Sequence, residues 1–145
     1  MWFNLHLKFK DPKALELVEK QFARGWYWAA GAEDSVREAG ELSLIPLAAK
    51  YLSVDKPSEP MPPMGDVIYP GEPFIYAANA ILGLLKGSYQ TSEAIKKACY
   101  DQRMMYNNVP LFRRWWAANE DRCRKGDFAH LSSPLDYLKD QRKKP

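Results

Sequence analysis

The chain has 145 residues, 46% hydrophobic and 27% charged, and this ordinary globular composition excludes a disordered chain. Its length is typical of one domain, so we assign residues 1–145 to a single domain. The formal net charge of +3 at pH 7 is too small to indicate nucleic-acid binding by itself. The charge is uneven, however, because residues 1–72 hold 8 basic and 11 acidic side chains whereas residues 73–145 hold 13 and 7.

Apolar and polar residues alternate from Trp2 to Lys10, which predicts a half-buried β-strand. Its apolar side would be formed by Phe3, Leu5, Leu7 and Phe9. A strand must pair through its backbone, and the candidate partners are residues 26–30, residues 66–69 or a second copy of the chain, which would make a homodimer. The expected fold class is therefore α+β, mainly α, with a small sheet packed on about five helices.

Asp11 and Pro12 are typical of a helix N-cap and a first helical position, and Gly25 is typical of a helix end. The apolar residues that recur at helical spacing between them are Leu15, Val18 and Phe22. The aromatic run Trp26-Tyr27-Trp28 then predicts a short strand or a packed turn. The alternative interpretation of this run is an aromatic platform for a ligand or partner.

Residues 32–52 predict one kinked helix or two short ones, because Pro46 interrupts the helical pattern. The apolar stripe of this region consists of Leu44, Leu47, Ala48, Tyr51 and Leu52. Its carboxylates, which predict a solvent-facing acidic surface, are Glu33, Asp34, Glu38 and Glu41.

Residues 53–73 hold six of the eleven prolines and predict a long extended loop, polyproline-like in places. The loop also has apolar residues that a simple linker does not need, which indicates that part of it packs on the domain. One interpretation of its tip, at Met61 and Met64, is a partner-binding element.

Pro73 begins an almost entirely apolar segment that predicts the central buried helix, within which Asn79 needs a hydrogen-bond partner. Thr91 or Ser92 predicts the N-cap of a further helix, which contains Cys99.

The densest cluster of Trp and Arg lies between Asn107 and Gly126. The asparagines at its start predict a turn, Pro110 predicts the first position of a helix, and Gly126 predicts its end. One side of this helix would carry Phe112, Trp115, Trp116, Asn119 and Cys123. In one interpretation the tryptophans are core anchors and the arginines are solvated. In the other, part of this face binds a partner, since Trp and Arg dominate interface hot spots.

Residues 139–145 predict a frayed, charged tail. Cys99 and Cys123 form no metal-binding pair and are expected to be buried, reduced thiols, with a disulfide between adjacent helices as the alternative. The N-terminus lacks the pattern of a secretory signal, and the longest nearly apolar run, residues 74–85, is too short to span a bilayer. We therefore expect a cytoplasmic protein with no membrane partner.

The sequence contains no phosphate-binding glycine motif and no nucleophile-elbow motif, and neither histidine has an acid or thiol at metal-ligand spacing. We therefore predict no catalytic residue, no metal and no cofactor. The least favoured hypothesis is a small enzyme with a pocket lined by His6, Asp66 or Cys99.

The leading hypothesis is a non-enzymatic protein-binding module that occludes a site on its partner, as small bacterial immunity or antitoxin proteins and dedicated adaptors do. The predicted binding residues are Arg113, Arg114, Trp116, Arg122, Met61 and Met64. The alternative is a nucleic-acid-binding protein that uses the basic Trp/Arg helix and the Arg142-Lys143-Lys144 tail.

Overall fold

The computed structural model describes residues 6–63, 70–86, 102–128 and 131. Within these ranges the α-helices are α1 (Pro12–Arg24), α2 (Trp26–Ala39), α3 (Ile45–Ala49), α4 (Pro73–Lys86) and α5 (Gln102–Arg124). The 3₁₀ turns Leu42–Leu44 and Lys50–Ser53 flank α3, and residues 6–8 form a helical turn before α1.

The predicted sheet is wrong, because the part of the chain that the structure describes is helical and contains no strand. Leu7 is fully buried whereas Phe9 is 76% exposed, so these residues do not share the apolar face that the alternation required. Residues 26–30, a candidate partner for the strand, form the first turns of α2, and residues 66–69 lie outside the described ranges. The homodimer was predicted to form through this strand, so that prediction has no support among the described residues.

Both ends of α1 lie where the capping residues in the sequence predicted them. The Asp11 carboxylate accepts a hydrogen bond from the Lys13 amide, Pro12 fills the first turn, and the Gly25 amide donates to the Phe22 carbonyl at the other end. The face that α1 buries consists of Ala14, Val18 and Phe22. This face packs against α2 and α4, so the apolar spacing of the sequence translates directly into core contacts.

Residues 32–52, which were predicted to form one kinked helix or two short ones, are divided at Gly40. This residue has a φ of +69° and ends α2, a conformation that Gly adopts without strain. Pro46 lies in the first turn of α3, where its missing N–H costs no helical hydrogen bond. The buried residues of this region include Leu44, Ile45, Ala48 and Leu52.

The prediction of a central buried helix is confirmed by α4, which contacts α1, α2, α3 and α5. Most of its side chains are buried, and between residues 73 and 85 the partly exposed positions are Asn79 and Gly83, one turn apart. A Cβ atom on Gly83 would lie 2.5 Å from Cγ of Arg37, so glycine lets α2 approach α4 closely here.

The helix predicted to begin at Pro110 in fact begins earlier, and α5 runs through Asn107 and Pro110 without a turn. Proline inside a helix removes one backbone hydrogen bond and costs about 3 kcal/mol. Burial of the apolar side chains downstream, such as Phe112 and Trp115, opposes this cost. The predicted end is confirmed, because the amides of Gly126 and Asp127 donate to the last turn of α5.

Candidate partner-binding surfaces

The two adjacent tryptophans of α5 have different environments. Trp115 is fully buried, together with Phe112, Asn119 and Cys123 on the same side of the helix. Trp116 is only partly buried, and the guanidinium carbon of Arg124 lies 5.8 Å from the centre of its ring. The core interpretation therefore holds for Trp115, while Trp116 lies at the edge of the core.

The arginines of α5 do not form one free basic face. Arg113 donates from Nε to the Leu52 carbonyl at 2.6 Å and from Nη2 to the Asp55 carboxylate at 2.8 Å. Arg122 lies 3.5 Å from the Asp127 carboxylate, whereas Arg114 is exposed. Arg113 thus ties α5 to the segment after α3, and Arg122 pairs with a carboxylate just beyond the end of α5, which leaves Arg114 as the exposed cation of the predicted set.

The first half of the proline-rich loop packs on the junction of α1 and α2. The Ser58 amide donates to the Ala23 carbonyl at 2.8 Å, and the Glu59 carbonyl accepts from the Trp26 indole at 3.1 Å. Met61, two residues further on, is 65% exposed, as a partner-binding element requires. Met64, the other methionine predicted at the tip, lies outside the described residues.

Close backbone contact fixes this junction. A Cβ atom on Gly71 would lie 2.8 Å from the Trp26 ring, and one on Gly25 would overlap both the Gly71 carbonyl and Pro57. Trp26 itself has a φ of +54°, in the left-handed region that a bulky side chain rarely adopts. Only a tightly determined structure keeps such a conformation, so the junction is a well-defined scaffold.

An aromatic and charged cluster, which we call the corner surface, is built on this scaffold from Arg24, Tyr27, Trp28, Glu59 and Met61. The guanidinium carbon of Arg24 lies 3.8 Å from the centre of the Trp28 ring, and its Nε lies 3.2 Å from the Glu59 carboxylate. The ring centres of Tyr27 and Trp28 are 4.6 Å apart, and Tyr27 is 42% exposed.

The corner surface was found only in part by sequence reasoning. The predicted short strand or packed turn at Trp26-Tyr27-Trp28 is in fact the first turn of α2, and the aromatic platform stays a prediction. Arg24 and Glu59 were missed because their pairing depends on the loop returning to the helix junction, which no local pattern reports.

A second feature, which we call the basic groove, lies between α1, α3 and the end of α5. It consists of two adjoining openings of about 260 Å³ and 250 Å³. The residues that line both openings are Lys10, Ser43, Pro46 and Arg124. Lys50 lines the first opening and is held at 2.7 Å by the Glu19 carboxylate. The groove therefore presents cations above a partly apolar floor.

Of the groups named for the enzyme hypothesis, His6 lies among the described residues. His6 lies 3.0 Å from the Asp11 carboxylate at the start of α1. Asp66 and Cys99 lie outside the described residues. Cys123 is a buried free thiol whose pKa is raised by burial, which opposes the formation of a reactive thiolate.

One member of the predicted acidic surface is not solvated. The Glu33 side chain is only 12% exposed, and it lies 3.4 Å from the Arg37 guanidinium and in hydrogen-bond contact with Asn79 of α4. Burial raises the pKa of Glu33 to about 7, although Arg37 and Asn79 oppose this shift. Residue type alone does not distinguish Glu33 from the exposed Asp34 that follows it, so this burial was not predicted.

Comparison of the chain with protein families, with curated proteins and with solved structures found no match. Among the described residues, no group of three or more His, Cys, Asp or Glu side chains is placed to hold a metal ion. No helix in the described ranges has the length and apolar character needed to cross a membrane.

Proposed function

We propose that this chain is a non-enzymatic protein-binding module whose corner surface docks on a partner protein and covers a site there. The observation that carries the proposal is the exposure of Tyr27, whose ring lies 4.6 Å from that of Trp28 in the Arg24 stack, and of Met61, two residues after Glu59. Inhibitors of the immunity or antitoxin type and adaptors are the classes of protein that act by such occlusion.

The residue types at the corner surface favour protein recognition. Tyr, Trp and Arg carry much of the binding energy in protein interfaces, and methionine adapts its shape to a partner. Tyr27 and Met61 are among the few large apolar side chains that the described structure exposes by more than a third. The guanidinium of Arg24 stacks on Trp28 and its Nε lies 3.2 Å from the Glu59 carboxylate, so one cation is already oriented next to the aromatic side chains.

Rigidity of the scaffold also supports the proposal. The Trp26 ring packs against Gly71 and its indole donates to the loop backbone, which fixes the loop relative to both helices. A surface that is ordered before binding loses little conformational entropy when a partner docks.

The nucleic-acid hypothesis loses much of its support among the described residues. Trp115 is buried and unable to stack on a base, and Arg113 is bonded to the Leu52 carbonyl and Asp55. Its remaining elements are exposed Arg114 and the basic tail, residues 142–144, which lies outside the described ranges.

The test is capture of partners from the source cells with the tagged protein, at moderate salt and after nuclease treatment, with identification by mass spectrometry. We expect one stoichiometric protein partner. The double variant Tyr27→Ala with Met61→Ala should lose this partner while keeping its helical circular dichroism, since both side chains are exposed.

The matched control is Leu17→Ala, which removes a large side chain that is 45% exposed on α1, outside the corner surface. This variant should capture the partner as the wild type does. Equal capture by the double variant would refute the assignment of the corner surface. Binding that disappears only on nuclease treatment would favour the nucleic-acid alternative.

A further inference from the structure

Beyond this proposed function, we infer that the basic groove is a second binding site, which takes an extended acidic segment of a protein. The segment would place carboxylates on the groove's cations and one apolar side chain on its floor. The corner surface includes Arg24 at the last turn of α1, whereas the groove includes Lys10 and Leu15 at the first, so the two sites are at opposite ends of that helix.

Lys10 is the main evidence for a recognition site. Its φ is +58°, at the end of the helical turn of residues 6–8, where its amide donates to the Leu7 carbonyl. Glycine adopts this left-handed conformation without strain, and a lysine adopts it at a cost. The side chain of Lys10 lines both openings of the groove, and among the described residues it forms no ion pair. The strained residue therefore supplies a cation at the middle of the groove.

The other two cations of the groove, Lys50 and Arg124, are each oriented by a single carboxylate and keep further N–H groups for a ligand. Lys50 has one carboxylate partner, Glu19, and Arg124 has one, Glu120, at 2.9 Å. The Lys50 and Arg124 side chains remain 55% and 51% exposed. An ammonium group has three donors and a guanidinium has five, so each cation retains N–H groups for a ligand carboxylate. The Ser43 hydroxyl adds a neutral donor.

The floor and walls favour a peptide over a nucleic acid. Leu15, Leu44 and Leu47 line the first opening, so the cations surround an apolar area that suits an aliphatic side chain. The Glu19 carboxylate lies in the same opening and repels the unbroken row of charges of a phosphate backbone more than a peptide whose carboxylates stand on either side of an apolar residue. A peptide that alternates carboxylate and apolar groups matches this arrangement of charges.

Like charge disfavours residues 139–145 of the chain itself as the occupant. Residues 139–145 contain four basic side chains and one acidic side chain, so they carry the same sign of charge as the groove. A second copy of the chain offers the exposed carboxylates Asp34 and Glu38 of α2, and its binding is one outcome of the test.

The experiment measures binding of a short fluorescent peptide, made of glutamates around a central leucine, by fluorescence anisotropy. The comparison peptide has glutamine in place of every glutamate. We expect saturable binding of the glutamate peptide that weakens as salt is added, and a loss of about tenfold or more with the glutamine peptide, since the charges supply the attraction.

The variant Lys10→Gly separates binding from folding. Glycine is unstrained at this φ, so the melting temperature should be at least that of the wild type. The peptide affinity should nevertheless fall about fivefold or more, because the central cation is lost. The control Lys20→Ala removes a lysine that is 71% exposed on α1, outside the groove, and should leave the affinity unchanged.

Three results would overturn the inference. The first is the absence of a difference in affinity, either between the two peptides or between Lys10→Gly and the wild type. The second is tighter binding of a single-stranded oligonucleotide than of the glutamate peptide at the same salt concentration. The third is a dimer in native mass spectrometry that Lys10→Gly dissociates, which would make a second copy the occupant.

Discussion

Replacement of Glu33 by glutamine should change how the stability of this protein depends on pH. Burial between α2 and α4 raises the pKa of the Glu33 carboxyl from 4.5 to about 7, because the charged form loses its hydration. The guanidinium of Arg37 at 3.4 Å and the amide of Asn79 favour the charged form, but they do not compensate for the burial.

The sign follows from the direction of this shift. A carboxyl with a higher pKa in the folded state binds protons more tightly there, so its contribution to stability is complete below pH 4.5. That contribution is lost as the pH rises through about 7. A difference of roughly 2.5 pKa units corresponds to about 3 kcal/mol at 1.36 kcal/mol per unit. Glu33→Gln cannot titrate, so its stability relative to the wild type should increase by about this amount across the window.

Urea denaturation, followed by circular dichroism at several pH values on both sides of this window, measures the effect. The relevant quantity is the difference in free energy of unfolding between variant and wild type, because other groups titrate equally in both. Glu16→Gln, which changes a carboxylate that is 69% exposed on α1, serves as the control and should show no such trend. Parallel curves for Glu33→Gln and the wild type would refute the buried-carboxylate argument.

Three further variants test the scaffold. Arg113→Ala should lower the free energy of unfolding in urea by about 2 kcal/mol, because it removes a charged hydrogen bond to a backbone carbonyl, whereas exposed Arg114→Ala should change it by less than about 0.5 kcal/mol. Gly71→Ala places a Cβ atom 2.8 Å from the Trp26 ring and should lower the melting temperature and increase acrylamide quenching of tryptophan fluorescence. Asp11→Ala should be destabilised at neutral pH, and the difference from wild type should narrow below pH 3.8, because hydrogen bonds lower the pKa of this carboxyl.

The helices that the sequence predicted well are those with local end signals and a strong apolar pattern. The Asp11-Pro12 start and the Gly25 end of α1 are both present, and α4 begins at Pro73 as predicted. Caps and proline positions depend on a few neighbouring residues, so they can be read without knowing the tertiary structure.

The prediction of an N-terminal strand was wrong because a short alternation of apolar and polar residues fits more than one periodicity. In the sequence, Phe3 and Leu7 are four residues apart. Residues at this spacing lie on the same face of a strand and also on the same side of a helix. The aromatic residues at the start of α2 favour strands in isolation, and the packing of this helix on α1 and α4 overrides that preference.

The candidate surfaces were harder to predict than the helices because their residues are distant in sequence. The corner surface joins Arg24 and Trp28 to Glu59, and the basic groove joins Lys10 to Arg124. A cluster of Trp and Arg within one helix is visible in a sequence, yet α5 uses much of that cluster for its own packing and bonding.

Backbone strain distinguishes the two surfaces. Lys10 and Trp26 are the non-glycine residues with positive φ in the part of the chain that the structure describes, and they lie at opposite ends of α1. The strain at Trp26 has an intramolecular reason, since its ring packs on Gly71 and its indole donates to the Glu59 carbonyl. At Lys10 the positive φ lets the amides of Lys10 and Asp11 donate to the Leu7 and His6 carbonyls and so end the preceding turn, but glycine would make the same bonds without strain. The turn therefore requires the conformation but not the lysine side chain, so Lys10→Gly tests whether that side chain is kept for binding.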